Sequence, residues 1–291
     1  MQSKISQKDI AGTVILYNSP MSVVDNIKTY INQIEKLYVV DNSTQVNDEL
    51  ILFLQIYPHI HYQSLEGNKG IAIALNWAAK QAILDGYKVL LTMDDDTRTP
   101  EKMIKVMIDF WNEYPNPIGI LSGVHNLDLA GVSRKNAENP YQILPYAMTS
   151  GNMLNLFAYQ YVGGFIDELF IDHVDNEYGL RLNFNNYQVV ELRNIYLEHN
   201  VGYAEESKFG KWTIRKFRTH SPIRNYYFMR NGIYVARKYI TYYPLYTWIV
   251  TKEFIYRLHI SALFAKNKFS RVTLLFEGII DGFLGKLGKY K

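Results

Sequence analysis

A chain of 291 residues with 48% apolar side chains has ample hydrophobic content for a large buried core and too much for a disordered protein. It contains no cysteine, which excludes disulfides, thiolate metal sites and a cysteine nucleophile and is compatible with the cytosol. The net charge of +3 conceals a division, because residues 1–203 carry −9 and residues 204–291 carry +12. An acidic body with a basic tail suggests an anionic partner for the tail.

The first ten residues are polar and charged and do not read as a secretory signal. No uncharged stretch reaches the roughly 18–20 apolar residues that a membrane span needs. Residues 10–17 then read as a short buried parallel strand, ended by Asn18-Ser19-Pro20. Val23, Ile27, Tyr30, Ile31 and Ile34 have helical spacing. Residues 37–40 form a second buried strand running into Asp41-Asn42-Ser43. A helix over 50–56, a short strand over 60–62 and a turn over 66–70 follow. The next helix carries Ile71, Leu75, Ala78, Ala79 and Ile83 and stops at Asp85-Gly86.

Residues 89–93 are an apolar strand that runs directly into Asp94, Asp95 and Asp96. Three adjacent anions need a positive counterpart, and at the carboxyl end of a buried strand that is a divalent metal or a ligand. In an extended backbone Asp94 and Asp96 point to one side and Asp95 to the other. The alternative is a solvated acidic turn capping the helix that begins near Pro100. Residues 103–111 are a helix and 118–122 a strand. Strand–helix alternation with short connections predicts a parallel sheet flanked by helices, with strand ends at Tyr17-Asn18, Asp41-Asn42 and Asp94 to Asp96 on one rim. The glycine fingerprints of dinucleotide and P-loop sites are absent, so phosphate charge requires a metal.

The polar stretch 134–140 reads as a mobile loop over the site. After Thr149-Ser-Gly-Asn152 a strand-like or helical segment runs to Tyr161; 189–192 and 195–197 are strands ending at Glu198-His199-Asn200. A second acidic cluster occupies residues 170–177. There Asp172 serves as a helix N-cap with Asp175 at N3, or the pair belongs to the site. Asp175, beside apolar Phe170 and Val174, is the better candidate for a base that deprotonates a sugar hydroxyl. Glu177 pairs with His173 or Arg181, four residues to either side. His199 is either structural or the best nitrogen ligand for Mn²⁺ or Mg²⁺. From Ser207 onward basic and aromatic residues interleave, as in Arg224-Asn-Tyr-Tyr-Phe-Met-Arg230.

In this order the segments Thr-Val-Ile-Leu-Tyr-Asn (13–18), Val-Val-Asp-Asn-Ser (39–43), Asn-Lys-Gly-Ile-Ala-Ile-Ala-Leu-Asn (68–76), Asp-Asp-Asp (94–96), Thr-Ser-Gly-Asn (149–152), Val-Gly-Gly-Phe (162–165) and Phe-Ile-Asp-His-Val-Asp-Asn-Glu-Tyr (170–178) resemble inverting glycosyltransferases of family 2. The last of these, with Ser-Pro-Ile-Arg-Asn-Tyr-Tyr-Phe-Met-Arg-Asn (221–231), most resembles the bacterial rhamnosyltransferase branch, which uses dTDP-L-rhamnose to build surface polysaccharide. The resemblance implies an α/β GT-A fold: a mostly parallel central sheet flanked by helices, with a catalytic domain over 1–205 and a helical extension over 206–291.

It also implies roles for individual residues. Thr13, Tyr17, Asn18, Asp41, Asn68, Lys69, Asp94, Asp95 and Asp96 bind the donor nucleotide sugar. Asp94, Asp96 and His199 hold Mn²⁺ or Mg²⁺. Asp175 is the general base, although Val174 stands where many relatives have a glutamate. Ser150, Gly151, Gly163, Gly164, Asp172, Arg224 and Arg230 face the acceptor or phosphate, and Asp95 touches the donor sugar or ribose. The Gln-x-x-Arg-Trp motif of processive synthases is absent, so addition of one or a few sugars is expected. The donor is a dTDP- or UDP-sugar and the acceptor a saccharide or a lipid-diphosphate-linked saccharide. The location is cytoplasmic or peripheral at the inner face of the membrane, where the tail meets an anionic surface. No nucleic acid partner is expected. The competing readings are a UDP-hexose or UDP-galactofuranose transferase, a metal-dependent phosphodiesterase, and a non-catalytic nucleotide- or nucleic-acid-binding module.

Overall fold

The computed structural model describes residues 3–126, 139–199, 203–209, 212–219 and 221–290. The chain begins with β1 (Ile10–Leu16), every residue of which is buried, as a strand covered on both faces requires. A short α1 (Val23–Ile27) follows, then β2 (Lys36–Asp41), α2 (Asp48–Leu54), β3 (Ile60–Ser64) and α3 (Ile71–Leu84). Small side chains on α3 (Ala72, Ala74, Ala78 and Ala79) are fully buried. After β4 (Val89–Asp94) the chain turns into the two-residue β5 (Thr97–Arg98), then α4 (Met103–Glu113), β6 (Ile118–Asn126), β7 (Tyr141–Leu144), β8 (Asn152–Asn155) and α5 (Leu156–Val162). Next come α6 (Val174–Phe184) and β9 (Gln188–His199).

These strands build one sheet in the order β3-β2-β1-β4-β8-β6-β9-β5, with β7 paired to β9. The half from β3 to β4 is parallel, as the alternating pattern predicts. The other half is mixed: β8 runs antiparallel to both β4 and β6, β6 and β9 are parallel, and β5 and β7 run antiparallel to β9. The two strands expected over 189–192 and 195–197 are one strand whose register against β6 shifts between Gly123 and Val124. The helix expected from Val23 through Ile34 is cut to α1 and a 3-10 turn at Ile31–Gln33. Most of the stretch expected as a loop over the site, 134–140, lies outside the described residues.

The tail begins not with a helix but with a hairpin, β10 (Tyr203–Phe209) and β11 (Trp212–Thr219). Three long helices follow: α7 (Pro222–Lys238), α8 (Leu245–Leu263) and α9 (Lys268–Leu284). Proline opens α7 at a position where its missing N–H costs nothing.

The chain divides into two compact units. One comprises residues 1–167 and 175–200, the other residues 168–174 and 201–291. The boundary expected after residue 205 falls within β10, and residues 168–174 group with the C-terminal helices. The reason lies in the segment Ser-Pro-Ile-Arg-Asn-Tyr-Tyr-Phe-Met-Arg-Asn. Asn231 donates its amide to the carbonyls of Leu169, Ile171 and Asp172 at 2.7, 2.8 and 3.0 Å. The buried Arg230 guanidinium binds the carbonyls of Glu168, Leu169 and Gly288 and lies over the rings of Tyr226 and Tyr227. Phe170 stacks on Tyr227. These bonds satisfy backbone carbonyls of a segment in which Phe170, Asp172 and His173 all have positive φ.

Candidate active site

In the unit formed by residues 1–167 and 175–200, the carboxyl ends of β1, β2 and β4 meet along one rim. Asn18 anchors the first loop to the second: its side-chain oxygen accepts from the backbone N–H of Thr44 and Gln45, and its own N–H donates to Ser43 Oγ. Its φ of 53° is the left-handed conformation that asparagine tolerates. Tyr17, beside it, is half exposed at the sheet edge. Asp41 is buried, one carboxylate oxygen accepting from Ser43 N and the other from Tyr62 Oη, both at 2.9 Å, which leaves acceptor capacity on each. Asn42 accepts from Lys69 N at 2.7 Å and donates to Asn68 Oδ1, which in turn receives Gly70 N. The turn carrying Asn68 and Lys69 is thereby fixed at the mouth of β2, with the Lys69 side chain exposed.

The acidic triad is not extended. Asp94 closes β4, while Asp95 and Asp96 form the turn into β5. The alternation of faces expected for a strand is therefore replaced by a turn, and Asp95 is drawn toward β1. Its carboxylate accepts a short hydrogen bond from Ser19 Oγ, which also receives Tyr17 N at 3.0 Å. Asn26 of α1 donates to the Asp95 carbonyl at 2.7 Å. Burial raises the Asp95 pKa, the Ser19 bond opposes that, and the charge of Asp96 adds to the rise. Beneath the triad Tyr30 is completely buried, its phenol pushed up first by burial and then by the charges of Asp95 and Asp94. Ser150, fully buried, receives the Asp94 N–H at 2.9 Å and donates to Thr97 Oγ1 at 2.8 Å, so it braces both sides of the turn.

Asp175 lies in the first turn of α6, with one carboxylate oxygen accepting from Asn176 N at 2.9 Å. It lines a small cavity with Thr92, Thr149, Asn152 and Phe165. Thr92 is two residues upstream of Asp94 on β4, so the cavity that Asp175 lines is walled in part by the strand that carries the triad. Asn152 Oδ1 is buried there and has no hydrogen-bond partner among the described residues. Glu177 pairs with Arg181 at 2.7 Å, one of the two neighbours expected for it.

Other expected residues have packing duties. Thr13 is fully buried in mid-strand, in register with Tyr38 and Thr92 and away from the rim. Gly151 has φ 74°, and a Cβ there would lie 2.3 Å from Leu197. At Gly164 a Cβ would lie 2.6 Å from both Asn76 and Tyr159, while Gly163 takes φ 86°. Asn76 accounts for the crowding: its oxygen accepts from Tyr159 Oη and Phe165 N, and its nitrogen donates to the Phe165 carbonyl and to Asp167.

In the other unit, Asp172 and Arg224 hold each other, with Nη2 at 2.5 Å and Nε at 3.3 Å from the two carboxylate oxygens. Burial works to raise the Asp172 pKa, but Arg224, helped by Arg257 and His173, outweighs it and holds the carboxyl below its ordinary value. His173 is buried with Nδ1 2.5 Å from Tyr246 Oη, and burial pushes it down to about 4, so it is neutral at pH 7. Arg230 is occupied by the carbonyls described above.

Asp94 and Asp96 supply hard oxygen donors, and the last residue of β9, His199, lies in register opposite Thr97, one residue beyond Asp96. Two carboxylates and an imidazole are a donor set suited to Mg²⁺ or Mn²⁺. Among the described residues no group of three or more acids and histidines stands ready to hold a metal ion. The residues that sequence reasoning missed are Ser19, Asn26, Tyr62, Asn76, Thr92 and Asn152. Asn76 and Asn152 lie inside the quoted motifs, whereas nothing in the sequence gives Ser19 or Tyr62 a role at the site.

A half-parallel sheet with a carboxylate turn at the end of its fourth strand defines a GT-A protein. Residues 13–156 match the model of Glycosyl transferase family 2, so this segment is a domain of that kind and the chain is a glycosyltransferase. It is similar to the dTDP-rhamnosyl transferase RfbF of Shigella flexneri, with 25% identity across 96% of this chain and 97% of that protein. The fold is shared with the mannosyltransferase PcManGT of Pyrobaculum calidifontis in complex with GDP-Man and Mn²⁺ (TM-score 0.61, 12% identity, 96% of this chain and 88% of that one). It is also shared with residues 1–349 of S. aureus TarS in complex with UDP-GlcNAc (TM-score 0.55, 14% identity, 95% and 73%). The chain spans 43% of the length of the longer TarS chain it matches.

Proposed function

We propose that the protein is an inverting rhamnosyltransferase that moves L-rhamnose from dTDP-L-rhamnose onto a saccharide or a lipid-diphosphate-linked saccharide at an anionic membrane face. The observation that supports the reaction type is that Asp175 lines the same cavity as Thr92 of β4, the strand that ends in the carboxylate turn. The likeness to RfbF along nearly the whole chain supports the sugar.

In this reading Tyr17 and Asp41 cradle the base of the nucleotide, and Asn68 and Lys69 lie along its phosphates. Asp94, Asp96 and His199 would hold Mg²⁺ or Mn²⁺. Such an ion, when bound, supplies Lewis-acid neutralisation of the charge on the diphosphate leaving group. Asp175 accepts the proton of the acceptor hydroxyl as its oxygen bonds to the anomeric carbon. The bond to the nucleoside diphosphate breaks on the opposite face, so one displacement inverts the configuration. Ser150 and Asn42 act at one remove, keeping the carboxylate turn and the 68–70 turn in place.

Nucleoside diphosphate release measured across dTDP-rhamnose, UDP-galactose, UDP-glucose and UDP-galactofuranose, with metal present, tests the donor. Turnover is expected with dTDP-rhamnose. Turnover with a UDP-hexose alone would keep the transferase and discard rhamnose.

Asp95 follows from the same reading as a positioning residue, because it reaches the nucleotide through Ser19 and the Tyr17 loop. Losing a hydrogen bond to a charged group costs about 1.5–3 kcal/mol. Ser19→Ala and Asp95→Ala are each expected to weaken dTDP binding about tenfold or more by calorimetry, with kcat at saturating donor changed much less. A fall in kcat at unchanged dTDP affinity would instead place Asp95 at the sugar.

A further inference from the structure

Helix α9 has two unlike faces. Its inner face is built for close approach to α7: a Cβ at Gly278 would lie 2.4 Å from the Tyr226 carbonyl oxygen, and one at Gly282 would lie 2.6 Å from that of Arg230. Leu275 and Arg271 are buried on the same side. Both acids of the helix bond within the unit. Asp281 accepts from Tyr226 Oη at 2.8 Å and pairs with Lys286 at 3.4 Å, and Glu277 accepts from Tyr290 Oη at 2.9 Å.

The outer face carries Phe269, Phe276, Ile280, Phe283 and Leu284, which are 87, 47, 58, 58 and 62% exposed. Their spacing follows one side of a helix. Lys266 and Lys268 stand at one end of this stripe and Lys286 and Lys289 at the other, all exposed or nearly so. Among the described residues no helix is long and apolar enough to cross a membrane. An apolar stripe of bulky side chains with lysines at both ends is the pattern of a helix that lies in a lipid interface, its rings about 5–10 Å deep and its ammonium groups at the phosphates.

We infer that the outer face of α9 is a docking surface for an anionic lipid bilayer. Charge decides between occupants. Residues 204–291 carry +12, so two copies paired through this same face would bring like charge to like charge, whereas anionic headgroups neutralise it. The inference deepens the proposed reaction at a membrane face and rests on that reading for its purpose, but lipid binding is measurable without any sugar nucleotide.

The test is sedimentation of the full chain with phosphatidylcholine vesicles and with mixed phosphatidylcholine–phosphatidylglycerol vesicles, at low and high salt. Binding is expected to the mixed vesicles, at least tenfold tighter than to the neutral ones, and weaker at high salt. Phe269→Ser combined with Ile280→Ser is expected to reduce that binding at least tenfold while leaving the melting temperature and nucleoside diphosphate release in solution unchanged. Equal partitioning of the native chain to both vesicle types, or undiminished binding by the double variant, overturns the inference. Concentration-dependent dimerisation that the double variant abolishes, without vesicle binding, would assign the face to a second copy and overturn it too.

Discussion

Asp175→Asn is expected to lower kcat by about 10²–10⁴-fold, the usual cost of removing a general base, with little change in donor KM. The amide keeps an oxygen for the Asn176 N–H bond that fixes the side chain in the first turn of α6, so the fold should survive. What it loses is the ability to take a proton. The measurement is steady-state release of nucleoside diphosphate at saturating donor and acceptor, alongside thermal melting. Near-normal turnover by a well-folded Asp175→Asn would remove Asp175 from the chemistry and leave it as a helix-start residue lining a cavity.

The second large effect concerns the carboxylate turn. Treatment with a chelator is expected to abolish transfer, and Mn²⁺ or Mg²⁺ is expected to restore it. Asp96→Ala is expected to cost about 10²–10³-fold in kcat, a loss comparable to removing one electrostatic stabiliser of a developing negative charge. Ser150 braces this turn from the far side, so Asp96→Ala removes a carboxylate without removing the support of Asp94 and Thr97. Full activity of the chelator-treated protein would exclude a divalent ion from the reaction.

The parallel half of the sheet was legible because β1, β2 and β4 are apolar runs, almost wholly buried and each closed by a polar turn. The rim followed from it: strand ends at 17–18, 41–42 and 94–96 lie together because parallel strands end on the same side. The antiparallel half was not legible. Four residues at 152–155 form β8, which enters between β4 and β6, and nothing local tells so short a segment which neighbours to pair with. The hairpin at 203–219 was hidden by its basic and aromatic composition, which reads as tail. Local rules also failed at the triad, where an apolar strand suggested continued extension but the chain turns at Asp95. Ser19 and Asn26 hold that turn from across the sheet, 76 and 69 residues earlier in the chain. The glycines at 151, 163 and 164 were noticed for the site, yet their immediate cause is steric: neighbouring Leu197, Tyr159 and Asn76 leave no room for a Cβ at two of them.

The grouping of residues 168–174 with the C-terminal helices has a consequence for recombination. A chimera that joins the first 200 residues of this chain to the tail of a relative would separate Leu169, Ile171 and Asp172 from the Asn231, Arg230 and Arg224 that hold them. The tail therefore does not behave as an interchangeable cassette. Any exchange of the tail with a relative must carry two pieces together, a heptapeptide from the middle of the chain and the helices that grip it.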